Sequence, residues 1–171
     1  MVILIAGTTH TGKTALAQML MEQYRIPYYS IDHLKMGLIR SGQTNLTVED
    51  DAGLVPYLWQ IVKEIIKTAI ENKQSLIIEG CYIPFDWQKD FDAEYLNAIR
   101  YYCLVMTESY IVNNFSAILK YENAVEHRLS GGVSKRVLIE DNMRNLRLCK
   151  EYGLNYVLID KVYEINIEIK K

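Results

Sequence analysis

Residues 2–14 read VILIAGTTHTGKT, and the reading of this stretch decides the fold. The apolar run 2–6 does not alternate with polar residues, as befits a strand covered on both faces, and it stops at Gly7. Beyond Lys13 and Thr14, the apolar residues Ala15, Leu16, Met19 and Leu20 fall at helical spacing. Strand, tight loop and helix follow one another without a break. Gly7 and Gly12 bracket four residues and lead into Lys13 and Thr14, so every fixed position of G-x-x-x-x-G-K-[ST] is met. That spacing suits a polyphosphate, which needs several N–H donors aimed inward. Glycines let the backbone curl with φ > 0, and the helix N-terminus adds the positive end of its dipole.

The stretch resembles the P-loop, or Walker A motif, in residues and in context. The resemblance implies that Gly7, Thr8, Thr9, His10, Thr11, Gly12, Lys13, Thr14 and Ala15 cradle the phosphates of a nucleotide. It also implies that Lys13 reaches the β- and γ-phosphates, while the Thr14 hydroxyl coordinates Mg2+ bridging them. One position departs from the small-molecule kinase version of the loop, which usually carries another glycine where His10 stands. Histidine adopts φ > 0 more readily than most residues, so the loop can still close. His10 either touches phosphate oxygens or fills the crest of the loop.

The chain of 171 residues is one domain of ordinary size, able to bury a core without metal or disulfide staples. Half of it is hydrophobic, yet no uncharged apolar run approaches the roughly 20 residues of a membrane span. Nor does the short N-terminal apolar stretch suit a signal peptide, because it runs directly into the motif. The three cysteines, Cys81, Cys103 and Cys149, show no CxxC pairing and read as thiols of a reducing compartment. A soluble, cytoplasmic protein is expected. The formal charge of −2 argues against a nucleic-acid scaffold, which would carry a strong basic excess.

Strands and helices alternate along the rest of the chain. Strands are expected at 26–31, 75–79, 101–106 and 156–159, with helices over 33–40, 54–72, 109–126 and 137–152. The alternating tail VYEINIEI either adds an edge strand or lies against the sheet. Such alternation implies parallel pairing with right-handed crossovers, hence a three-layer α/β fold. Ligands of these folds bind beyond the carboxyl ends of the strands. Gly7–Thr14, Asp32, Glu79 with Gly80, and Thr107 with Glu108 should therefore share one rim.

Two acids stand at strand ends on that rim. Asp32 can accept a proton from a hydroxyl attacking the γ-phosphate, or simply cap the helix at His33. Glu79 closes SLIIEG, a strand and acid that resemble a Walker B element; the usual acid there is Asp, so Glu79 serves either Mg2+ or the acceptor. Further on, Arg128, Lys135, Arg136, Arg144 and Arg147 cluster around Gly131 and Gly132. Arginines on a closing lid would stabilise a transferring phosphoryl group and exclude water. The alternative is ordinary helix-face pairing, since Arg136 and Glu140, and Glu140 and Arg144, are four apart.

Taken together, GTTHTGKT, the short second strand before Asp32, LIIEG and the arginine-bearing Gly-Gly segment resemble the P-loop kinases of small molecules. That grouping includes nucleoside monophosphate, shikimate, gluconate and antibiotic-hydroxyl kinases. The resemblance implies one α/β/α domain over 1–171, a five-stranded parallel sheet in the order 2-3-1-4-5, and a small helical lid near 125–140. It implies ATP with Mg2+ and an unidentified small-molecule acceptor bound over the helices after the second strand, held by Asp32, Arg40, Glu79 and Gly80. Lys13, Asp32, Arg128, Arg136 and Arg144 are the expected catalytic set, with Thr14 and Glu79 on the metal. Lys13 is followed by Thr14 and Ala15 instead of the Gly-Thr of adenylate kinase, and LIDKV is no GTPase base reader. A hydroxyl-directed kinase is favoured. The rival is a nucleotide-binding switch or slow NTPase without an acceptor.

Overall fold

The computed structural model describes residues 1–120, 133–165 and 167–169. The motif's strand, β1 (Val2–Gly7), is buried along its whole length and forms the middle of the sheet. Around it lie β2 (Tyr28–Ser30), β3 (Leu76–Glu79), β4 (Ile99–Met106) and β5 (Tyr156–Ile159), all parallel, in the order β2-β3-β1-β4-β5. This is the expected order. The helices are α1 (Lys13–Tyr24), α2 (Ile31–Arg40), α3 (Asp51–Glu71), α4 (Ala93–Ala98), α5 (Glu108–Lys120) and α6 (Lys135–Glu151).

Period-2 alternation on β1 splits the core into two layers. Val2, Leu4 and Ala6 face Leu54, Leu58, Val62 and Ile66 of α3, while Ile3 and Ile5 face Leu16, Ala17 and Leu20 of α1 with Tyr110, Ile111 and Ile118 of α5. Burying each Leu or Ile of α3, the longest helix, is worth about 1.5–3 kcal/mol. The α6 helix serves both layers, with Leu138 in one and Cys149 in the other. Cys103 and Cys149 are buried and free, and Cys81 is exposed. Among the described residues, no helix is long and apolar enough to cross a membrane.

Two boundaries differ from expectation in ways that matter. The second strand is only Tyr28–Ser30, and the chain turns into α2 at Ile31, so Asp32 stands in the first helical turn, after an N-cap at Ser30. Local apolarity extended the expected strand, because Ile31 is buried as a helical residue. The tail forms no strand among its described residues; Ile167 is buried against the α1 and α5 layer, with Ile165 and Ile169 packed beside it. Residues 121–132 of the expected helix and lid lie outside the described residues.

Candidate active site

The loop after β1 has the backbone that its sequence demands. Gly7, His10 and Gly12 have φ of 140°, 64° and 83°. His10 thus takes the left-handed conformation in place of a glycine, and Thr9 Oγ1 lies 2.9 Å from its Nδ1. At Gly7 a Cβ would meet the Leu104 carbonyl at 2.7 Å and Thr11 Oγ1 at 2.8 Å, so strand packing and φ both require glycine. Thr8 is the internal pivot. Its carbonyl accepts from Lys13 Nζ at 2.9 Å and from Thr11 Oγ1 at 2.8 Å. With its amide oriented so that donors meet acceptors, Asn145 of α6 accepts from the Thr8 N–H at 3.2 Å and donates to the Asp141 carbonyl at 3.3 Å.

Lys13 is 5% exposed. Burial pulls its ammonium down, but the nearby Cys81, Glu79 and Asp32 outweigh it and hold its pKa above the ordinary lysine value. Lys13 is thus a buried cation just beyond the central strand, with acidic groups close by. The adjacent Thr14 donates its hydroxyl to Glu79 Oε1 at 3.3 Å, across the β1–β3 register in which Ile5 pairs with Glu79. Glu79 is 1% exposed. A hydroxyl and a buried carboxylate side by side are hard oxygen donors of the kind Mg2+ takes.

On the other side of Glu79, β2 ends level with it, Ser30 pairing with Glu79, and delivers α2 to the rim. Asp32 there is bonded to Lys35 at 2.5 Å. Lys35 also donates to the Tyr82 hydroxyl at 2.9 Å and lies 5.0 Å from the centre of its ring, while Tyr82 donates to Asp51 Oδ1 at 3.2 Å. Burial pushes the Tyr82 phenol up to about 12, so it remains a donor. Residues from α2, α3 and the segment after β3 thus form one polar shelf. Gly80 has a packing reason of its own, since a Cβ there would come within 2.9 Å of Ile31 Cβ.

No family model and no curated protein matches the sequence. By structure, a shikimate kinase from Bacteroides thetaiotaomicron matches with a TM-score of 0.53 and 14% identity, over 93% of this chain and 85% of that one. The chain has the fold of the P-loop small-molecule kinases. A shikimate kinase from Aquifex aeolicus (TM-score 0.44, 15% identity, 86% of this chain and 96% of that one) is similar too. So is a gluconokinase from Sinorhizobium meliloti (TM-score 0.43, 12% identity, 89% of this chain and 95% of that one).

In this fold Lys13, Thr14, Glu79 and Asp32 come together at the carboxyl ends of β1, β3 and β2, whereas Arg40, Arg136 and Arg144 do not join them. Arg40 is exposed in the last turn of α2. Arg136 and Arg144 lie on α6 with largely exposed side chains, paired with Glu140 at 3.7 Å and Asp141 at 3.2 Å. Arg128 lies outside the described residues. Sequence reading assigned no role to Lys35, Asp51 or Asn145. Lys35 carried one signal, its i,i+3 spacing from Asp32. Asp51 and Asn145 carried none, since the rim groups that they meet, Tyr82 and Thr8, are distant in sequence.

Proposed function

We propose that this chain is an ATP- and Mg-dependent phosphotransferase that moves the γ-phosphate to a hydroxyl, or a phosphate, of a small-molecule acceptor. The observation that carries the reading is the buried Lys13 in a glycine-shaped loop, with the Thr14–Glu79 pair on one side and Asp32 beyond it. The loop N–H groups and Lys13 would hold the β- and γ-phosphates, and Thr14 and Glu79 would hold Mg2+ or its waters. ATP supplies the phosphoryl group and Mg2+ spreads its charge. Asp32, paired with Lys35, would accept the acceptor's proton or orient its hydroxyl. Arg40 and Gly80 would serve the acceptor side, and Arg128, Arg136 and Arg144 would stabilise the transfer.

The test is Mg-dependent ADP release by the purified chain, alone and with pooled hydroxyl-bearing metabolites and nucleosides, for wild type and Asp32→Ala. Stimulation by a pool that disappears in the variant supports the assignment, and dividing the pool identifies the acceptor. Slow release that no pool stimulates and that survives the substitution would instead favour a nucleotide switch or slow NTPase.

A further inference from the structure

The segment after β5 reaches back to the loop. Tyr163 donates its hydroxyl to the Thr11 carbonyl at 3.1 Å, across 152 positions of sequence. Its ring lies against the neighbouring glycine: a Cβ on Gly12 would stand 1.7 Å from Tyr163 Oη and 2.8 Å from Cζ. Gly12 leaves room for this contact, and its φ of 83° itself favours glycine. Tyr163 is held from its C-terminal side, where Ile167 is buried against the α1 layer and the Ile169 N–H reaches Tyr24 Oη at 3.4 Å.

We propose that Tyr163 is a positioning residue for phosphate binding, acting through the Thr11–Gly12 peptide. The chain contains no cis peptide bond among its described residues, so the Thr11 C=O and the Gly12 N–H belong to one planar trans unit and point in opposite directions. A donor on the Thr11 oxygen outside the loop turns the Gly12 N–H toward the inside. It also polarises that peptide, which makes the N–H a better donor to an anion. Burial, with Tyr110 nearby, pushes the Tyr163 phenol up to about 12, so the hydroxyl stays a donor throughout the neutral range. The loop is braced at two separate peptides, by Asn145 at Thr8 and by Tyr163 at Thr11, from elements that follow β4 and β5.

This inference rests on the phosphate-cradle reading above, and the experiment separates the two. Titration calorimetry of the full chain would compare MgATP with magnesium tripolyphosphate, a ligand that lacks the nucleoside, for wild type, Tyr163→Phe and Lys13→Ala. The Gly12 amide resonance would be followed in parallel. Losing one hydrogen bond predicts that Tyr163→Phe weakens both ligands by the same factor of about 3 to 10, with a reduced Gly12 amide shift on tripolyphosphate binding. Weakening of MgATP alone would overturn the inference, because Tyr163 would then be touching the nucleoside. Unchanged or tighter binding of both, or weakening with a wild-type Gly12 response, would also overturn it while leaving the cradle intact. Wild type that binds neither ligand, or binds them as Lys13→Ala does, would overturn the cradle reading and this inference together.

Discussion

The two halves of the rim are built from different materials. Around Gly7–Thr14 the working groups belong to the backbone, shaped by positive φ at Gly7, His10 and Gly12, with Lys13 buried among them. Around α2 the working groups are side chains, Asp32, Lys35, Asp51 and Tyr82, and Asp32 remains about one-third exposed with a side-chain accessibility of 34%. On the function proposed above, the loop half would be a preformed cradle for phosphate. The α2 half would be an adjustable surface for the acceptor. Phosphate is the same in every nucleotide, whereas acceptors differ, so the rigid half should be intolerant of change and the shelf permissive.

The largest expected effect is on the rigid half. Lys13→Ala should lower acceptor-dependent ADP release by about 10³-fold and abolish nucleotide binding in the same titration, as loss of a preorganised cation at a developing charge does. Asp32→Asn is expected to cost about 10²-fold in turnover while nucleotide affinity stays as in wild type. A matching loss of nucleotide affinity in Asp32→Asn would erase the distinction between the halves. Glu79 lies on the border. Glu79→Gln should raise the Mg2+ concentration for half-maximal activity by about 10-fold, and an unchanged Mg2+ requirement would move Glu79 to the acceptor side.

The smallest effect is expected on the shelf. Burial draws the Lys35 ammonium down, but Asp32 and Tyr82 outweigh it and hold it above the ordinary lysine value. A raised lysine pKa leaves the pair's contribution whole below the unfolded value, to be lost only as pH rises through the folded one. Stability contributed by the Asp32–Lys35 pair should therefore be flat from about pH 6 to pH 9. Lys35→Met should cost about 1 kcal/mol or less in urea unfolding, given the partial exposure of Asp32, while changing KM for the acceptor. A stability loss well above that, with acceptor KM unchanged, would make the shelf a structural device.

Much of the fold was legible because its signals are local. The unbroken apolar runs of β1 and β4 and the 3.6-residue period of α3 each sit within one stretch of sequence. The β2 boundary was not, since Ile31 is apolar enough for a strand and only its burial beside Gly80 decides that it begins a helix. The loop conformation was legible for the same local reason: φ > 0, a lysine and a hydroxyl recur at set offsets within the motif. His10 shows the tolerance of that rule, as a non-glycine residue in the left-handed region.

By itself, then, the sequence determined the parallel α/β architecture and the glycine-shaped loop after β1, because hydrophobic period and backbone conformation are properties of neighbouring residues. Only the tertiary structure decided what surrounds the loop. It set Glu79 beside Thr14, joined Asp32, Lys35, Tyr82 and Asp51 into one shelf, and brought Asn145 to Thr8 and Tyr163 to Thr11. Apart from Asp32–Lys35, those contacts join residues far apart in the chain, and their hydrogen bonds depend on how strands and helices are registered against one another. No spacing along the chain carries that information.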